Sequence, residues 1–436
     1  MKNPANSGSF FSNTTMQFVK DAFHYVDFDW NGHRRLFFDN AGGSFRLKKS
    51  VEAYALVAAT PDCPERIHAT AVYLQDIQDK GQQDFRMMLN VEGGSVYTAL
   101  TASKAMFDMV RVIVENVTGS NMVTTVLEHP SAYDAMDVNA KRKGRELRVA
   151  KSNAITGGVD VDEIIKLIDQ DTVLLSVMYA SNISGAKFDI ESIVSCARAI
   201  KPDLFIIVDA VQHAPHDVID LKRIPIDGIN IAPYKFFGNR GMGLAWVSDR
   251  LAQLPHDKLN GKPTKYWDVG SSDPAQYAMF SAVINYVCEL GLKDSSESSP
   301  SDASEPRQQQ RQQFVAGMQM IALHERALLS RMLNGTDDIQ GLREMQNIDV
   351  YLDYEDLTKR DLILAINFKH IEPAKAVMEY DKQGVTVFER VNTSLYSKRM
   401  LESFGLEGAI RVSPLHCHSA EDIDTFLTIT KQMAEN

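Results

Sequence analysis

"INIAPYKFFGNRGMG", residues 229–243, runs from an apolar strand into a lysine and then into three glycines. An ammonium group at the end of a buried strand is costly, because burial disfavours the charged form. Lys235 is therefore either a surface residue that happens to follow a strand or an amine held for chemistry. A second residue narrows the choice: Asp209 sits at the end of the apolar run "LFIIVDA" (204–210). Alone, a carboxylate there reads equally well as a helix cap or as a ligand contact. One cofactor uses both groups. Pyridoxal 5'-phosphate forms a Schiff base with a lysine amine, and its ring nitrogen needs a carboxylate to stay protonated as an electron sink.

Outward from this stretch, "TVLLSVMY" (172–179), "LFIIVDA", "GINIA" (228–232) and "GLAWV" (243–247) are continuous apolar runs. Helical patterns such as "AYDAMDVNAKRKG" (132–144) and "ESIVSCARAI" (191–200) stand between them. That alternation predicts an α/β fold with a mainly parallel sheet covered on both faces. In such sheets ligands lie at the carboxyl ends of the strands, where Asp209 and Lys235 fall. The polar stretch 293–313 reads as a mobile linker or surface loop, and "FVAGMQMIALHERALLSRML" (314–333) as an amphipathic helix. The expected division is an N-terminal segment 1–35 packing with the small domain, a large domain 36–291, a polar linker or loop 292–314, and a small C-terminal α+β domain 315–436.

The totals exclude several classes. At 436 residues the chain suits two or three domains. Its net charge of −11 argues against nucleic acid or an anionic membrane surface as partner. The four cysteines are scattered, with neither CxxC nor zinc spacing, so no metal site is expected and a reducing compartment is. No apolar leader or membrane span is legible, and a cytoplasmic protein is expected.

Five motifs in order carry a resemblance: "TVLEHPSAYDAM" (125–136), "YASNISG" (179–185), "VDAVQHAPHDVIDL" (208–221), "APYKFFGNRGMG" (232–243) and "AIRVSPLHCHSAEDID" (409–424). They resemble class V aminotransferases, and within them the cysteine desulfurase and selenocysteine lyase branch, from "FFDNAGGS" (37–44) almost to the C-terminus. The resemblance implies the fold of aspartate aminotransferase: a large seven-stranded domain, a small C-terminal domain, and a homodimer with shared active sites. It implies that Lys235 is the Schiff-base lysine and that Asp209 partners the pyridine nitrogen. Gln212 and Asn182 would approach the phenolic oxygen, and His129 would stack on the ring, unless it is only a loop histidine. Ala102 and Ser103 would open a helix whose N-terminus takes the phosphate; Thr101 and Ser103 could equally serve as caps. Ser271 would reach the phosphate of the other subunit. Arg411 would clamp the α-carboxylate of an amino acid substrate, since its planar fork matches a carboxylate. Asn40 and Gly42 would lie over the substrate, or serve only a tight turn.

Two departures matter. The stretch "GVTVFERVNTSLYSKRML" (384–401) has no cysteine where desulfurases carry their nucleophile. The branch's Ser-x-His-Lys is replaced by "APYK", so Ala232 lacks a hydroxyl and Tyr234 replaces the histidine. A tyrosine is a poor base near neutral pH, which suits Tyr234 to positioning or donating a proton. The expected activity is a lyase cleaving a C–S, C–Se or C–C bond of a cysteine-like or acidic amino acid without a cysteine nucleophile. The alternatives are an aminotransferase or epimerase, or a non-catalytic domain keeping the fold. Arg66 and His68 are further candidates to meet an acidic substituent, or else surface residues.

Overall fold

The computed structural model describes residues 6–61, 63–293 and 306–435. Strands β1 (Ser95–Ala99), β2 (Asn121–Thr125), β3 (Glu146–Ala150), β4 (Thr172–Met178), β5 (Phe205–Asp209), β6 (Gly228–Ile231) and β7 (Gly243–Val247) form one sheet in the order β1-β7-β6-β5-β4-β2-β3. Every residue of β4, β5 and β6 is buried, as their unbroken apolar runs require. Pairings from β3 through β6 are parallel, while β7 runs antiparallel to both β6 and β1. The reason for the reversal is length. Residues 232–242 are too few for a parallel crossover, which takes about a dozen residues or more, so the chain turns back and its turn carries Lys235.

Helix α1 (Asn13–Ala22) precedes the sheet, α2 (Ala102–Asn116) follows β1 and packs on it, and α3 (Pro274–Gly291) packs against neighbouring helices. Residues 294–305 of the expected linker lie outside the described residues. The rest of that expectation needs correcting: α4 spans Pro306–Asn334, so Pro306–Gln313 are its first turns. Gln and Arg are good helix formers, and their polar ends find partners on the large domain. Arg311 Nη1 donates to Met88 O at 2.6 Å, and Gln310 Nε2 to Asp84 Oδ1 at 3.1 Å. A contact made by polar groups leaves no apolar period to read.

The second sheet comprises β8 (Ile348–Tyr351), β9 (Leu364–Phe368), β10 (Phe388–Val391) and β11 (Gly408–Val412), antiparallel in the order β10-β11-β9-β8. Helices α5 (Pro373–Lys382) and α6 (Ala420–Glu435) cover one face, where Ile366, Ile410 and Val412 pack with Tyr380 and Phe426. The other face carries Ala365 and Ala409, which belong to the apolar core of the large domain. The N-terminal segment touches both halves: Lys20 pairs with Asp422 of α6 at 3.1 Å, and Phe23 packs edge-on against Phe237. Among the described residues no helix is long and apolar enough to cross a membrane.

Candidate active site

A cavity of about 360 Å³ opens at the carboxyl ends of β2, β4, β5 and β6. Asp209, Gln212, Tyr234 and Lys235 line it from the turns after β5 and β6; Asn182 and His129 line it from the turns after β4 and β2. Ala102 and Ser103 close it at the start of α2. Eight residues read from the sequence are thus brought together from segments far apart in the chain.

Lys235 ends a 3-10 turn, Pro233–Lys235, and is 9% exposed. The turn is held by an uncommon backbone: Phe237 adopts φ +64°, a left-handed conformation that is strained for a bulky side chain. Its N–H donates to Ser44 Oγ at 3.0 Å and its carbonyl accepts from Leu47 N at 2.9 Å, which fixes the strained residue. Among the described residues the Lys235 amine makes one hydrogen bond, a long one of 3.4 Å, to Gln212 Oε1. Burial, aided by the charge of Arg411 and opposed by Asp209, brings its pKa down to about 7. Relative to an ordinary lysine, that disfavours the cation by on the order of 5 kcal/mol. The neutral amine is therefore far more accessible near neutral pH than that of an ordinary lysine.

Asp209 caps no helix; its Oδ1 accepts from Val211 N at 3.0 Å in the turn after β5, and burial raises its pKa. His129 is the N-cap of the helix Pro130–Lys143, and its Nδ1 accepts from Ser131 N at 3.2 Å, which puts the ring proton on Nε2. Burial, then the charge of Lys235, lowers its pKa to about 3, so the ring is neutral. Thr101, not Ser103, caps α2, accepting from Lys104 N at 3.1 Å. The helix can stand this close to the sheet because residue 243 is glycine: a Cβ there would strike Ala102 N and the Thr101 carbonyl.

The chain from Leu36 to residue 301 matches the family model of class V aminotransferases. The chain belongs to the class V aminotransferase family. Among curated relatives, a probable cysteine desulfurase of Borreliella burgdorferi is 24% identical over 323 residues, 72% of this chain and 69% of that protein. A cysteine desulfurase of Yersinia pseudotuberculosis is 30% identical over 192 residues, 40% of this chain and 47% of that one. The chain therefore matches less than half the length of the Yersinia relative. Among solved structures, an apo cysteine desulfurase from Thermococcus onnurineus has a TM-score of 0.76 at 17% identity, covering 92% of this chain and 95% of that one. A cysteine desulfurase from Escherichia coli has a TM-score of 0.76 at 16% identity, covering 98% and 99%. The class V membership and these relatives make the chain a pyridoxal phosphate-dependent enzyme.

The cavity fits that cofactor by its own donors. Its lining brings together a helix N-terminus, a buried lysine with a lowered pKa, a buried carboxylate and a neutral imidazole. Asn182 Oδ1 is buried there with no partner among the described residues, an acceptor that a ligand would satisfy.

The remaining expected residues lie outside this cavity. Ser271 is exposed and lines a neighbouring cavity of about 490 Å³, together with Leu100 and Asp268. Asn40 ties its turn to the residue after β11: Nδ2 donates to Phe37 O and Ser413 O, and Oδ1 accepts from Phe45 N. Its side-chain amide is thus engaged within the fold. At Gly42 a Cβ would stand 2.8 Å from Asp39 Oδ2 and 3.2 Å from Arg411 Nη2, so the glycine makes room for that pair. Arg411 is buried on β11, its Nη2 bonded to Asp39 Oδ1 at 2.6 Å and its Nη1 to Asn182 O at 3.3 Å. Arg66 and His68 are exposed and line no part of the cavity.

Sequence reasoning missed three residues. Arg240 lines the cavity with its guanidinium 4.2 Å above the Tyr234 ring. Asp39, within the quoted "DNAGGS", neutralises Arg411. Arg390 is buried on β10, and its charge reaches both Lys235 and His129. The strand pairing of "FER" with "AIRV" was the available signal for Arg390, but no sequence pattern sets that register. Among the described residues no three metal-ligating side chains cluster.

Proposed function

We propose that the enzyme is a desulfurase-like lyase that breaks a C–S, C–Se or C–C bond of a cysteine-like or acidic amino acid. The observation that carries this reading is the Lys235 amine, buried beside Asp209 and Gln212 and brought to a pKa of about 7. Such an amine serves as base in its neutral form and as acid in its charged form at the same pH. The branch is supported by the relatives and solved structures, whose names are those of cysteine desulfurases.

Bound pyridoxal phosphate supplies an electron sink for negative charge developed at the substrate's Cα. The chain's residues do the rest. Asp209, at the end of β5, holds the proton on the ring nitrogen. His129 offers a neutral ring face for stacking, and Gln212 and Asn182 supply polar contacts at the ring's edge. Backbone N–H groups of Ala102 and Ser103, with the α2 dipole, hold the phosphate. Arg411 orients the substrate carboxylate with its second edge, the first being held by Asp39. Lys235 removes the Cα proton and returns a proton to the carbon chain after the bond breaks. Tyr234, its ring covered by Arg240, positions the substrate side of the cavity.

No cysteine lines the cavity among the described residues, which supports departure of the leaving group without a thiolate of this chain. A second copy of the chain completes the site in this reading. Ser271 stands beside Leu100 and Val269, which are 80% and 69% exposed, at the mouth next to α2. The holoenzyme is to be incubated with cysteine, cysteine sulfinate, selenocysteine and aspartate. Alanine or pyruvate together with the released group is the expected product. Their absence with every substrate overturns the reading; a keto acid with the aminated cofactor would mark a transaminase instead, and loss of optical activity an epimerase.

A further inference from the structure

The small-domain sheet turns one face toward the cavity, and that face carries two arginines. Phe388 pairs with Arg411 and Arg390 with Ala409 across β10 and β11. Residues opposite one another, and those two apart along a strand, share a face. Arg390 and Arg411 are therefore diagonal neighbours on one face, with the small side chains of Ala409 and Ala365 beside them and the Phe388 ring 5.4 Å from the Arg411 guanidinium. Both act on Lys235 through their charge.

The two are compensated differently. Arg411 has Asp39 at 2.6 Å. Arg390 is 6% exposed, donates one hydrogen bond, to Tyr396 O at 2.9 Å, and leaves its Nε without a partner. Among the described residues no carboxylate forms an ion pair with it. Burial, then the nearness of Arg411, pulls its pKa down to about 9. Asp39, bonded to Arg411, opposes these shifts only from a distance, and a buried guanidinium with no carboxylate bonded to it is costly for a fold to keep. Arginine is also the residue whose fork best matches a carboxylate or a similar oxyanion.

We propose that Arg390 binds a second anionic group, on the substrate's side chain, and so selects amino acids bearing a carboxylate or sulfinate at Cβ over neutral ones such as cysteine. This rests on the lyase reading above and sharpens its substrate class. In such a substrate the bond from Cβ to the carboxylate carbon or sulfinate sulfur breaks and CO2 or SO2 leaves. The bonding pair stays on the carbon skeleton, one proton is added there, and alanine results. No oxidant or reductant is consumed.

The test separates binding from turnover by using acids that lack an amino group. Succinate and butyrate, each four carbons long, are titrated calorimetrically into the holoenzyme. Succinate is expected to bind at least tenfold more tightly; equal affinities overturn the proposal whatever any variant does. Arg390→Met should remove that preference while leaving butyrate within about twofold, and Arg390→Lys should restore part of it. Arg411→Met should weaken both acids. Equal losses for succinate and butyrate in Arg390→Met, with Arg390→Lys no better, would also overturn the proposal. If no amino acid is turned over at all, the lyase reading falls, yet the titration still decides what Arg390 does.

Discussion

Gln212 and His213 are neighbours in the turn after β5, and they face opposite worlds. Gln212 lines the cavity and meets the Lys235 amine. His213 turns away, stacks on Tyr179 with ring centres 4.1 Å apart, and bonds Asp361 at 2.9 Å. Three residues on, His216 meets Glu325 of α4 at 2.6 Å. These two pairs tie the large domain to the segment before β9 and to α4. Both regions bury charge; the junction pairs it throughout, whereas on the cavity side Arg411 is paired with Asp39 and other groups are left unpaired. Among the described residues, Lys235 and Asn182 Oδ1 in the cavity have no bonded carboxylate and no partner respectively, and Arg390, close enough for its charge to reach Lys235, has no bonded carboxylate either. Paired burial holds the domains together; unpaired burial marks where a ligand must supply what the fold withholds.

The largest effects test that division directly. Lys235→Ala should lower turnover by at least about 10³-fold, the upper range for losing an acid–base group. The apoprotein should resist urea as well as the parent or better, since an uncompensated buried cation is gone. A variant retaining activity would break the comparison. Asp361→Ala should do the reverse. It leaves His213 buried opposite nothing and should reduce stability to urea by about 3–5 kcal/mol. Turnover per folded molecule should stay within a few-fold. Burial pushes Asp361 up, but the charge and hydrogen bond of His213 outweigh it and hold the carboxyl below its usual range. A depressed carboxylate gives stability that is present above the ordinary carboxylate pKa and lost as pH falls through the folded value. The parent should therefore approach the variant only in strong acid.

The division also explains what the sequence could disclose. Strand ends were legible because β4, β5 and β6 are buried on both faces and so are written as unbroken apolar runs. Lys235 and Asp209 stood out against that background. The α4 start was missed because its contacts run through Gln310 and Arg311, whose pattern is that of a solvated loop. Arg390 was missed because its meaning lies in a strand register with Arg411. The sequence placed Asn40 over the substrate; that its amide also bonds Phe37 O and Ser413 O only geometry shows.

A third prediction sharpens the cavity side. If Lys235 has a pKa of about 7, covalent attachment of pyridoxal phosphate to the apoenzyme, which needs the neutral amine, should speed up as pH rises toward 7 and level off above it. Stopped-flow absorbance between pH 5.5 and 9 reads this, about a tenfold change per pH unit below the inflection. A rate still climbing at pH 9 would mean an ordinary, solvated lysine. The same depressed pKa makes the apoprotein gain stability as pH rises from about 7 toward the ordinary lysine range, because there the unfolded chain binds the extra proton.

The smallest effect concerns a residue between the two classes. Glu128 precedes His129, is fully buried, and has one oxygen bonded to Thr125 Oγ1 and Met178 N, while Oε2 has no partner. Burial outweighs those bonds and raises its pKa to about 8. The folded chain therefore keeps a proton that the unfolded chain loses near 4.5, so this group's contribution to stability falls as pH rises from 4.5 to 8. Glu128→Gln keeps the shape and removes the titration. Its melting temperature should match the parent at pH 5 and exceed it by a few degrees at pH 8, read by scanning calorimetry; a single kcal/mol moves a large domain by about 2–4 °C. Parallel melting curves at both pH values would mean that Glu128 is ionised and compensated. It would then belong with Asp361 and Glu325, and the boundary between scaffold and site would have to be drawn on the cavity side of His129.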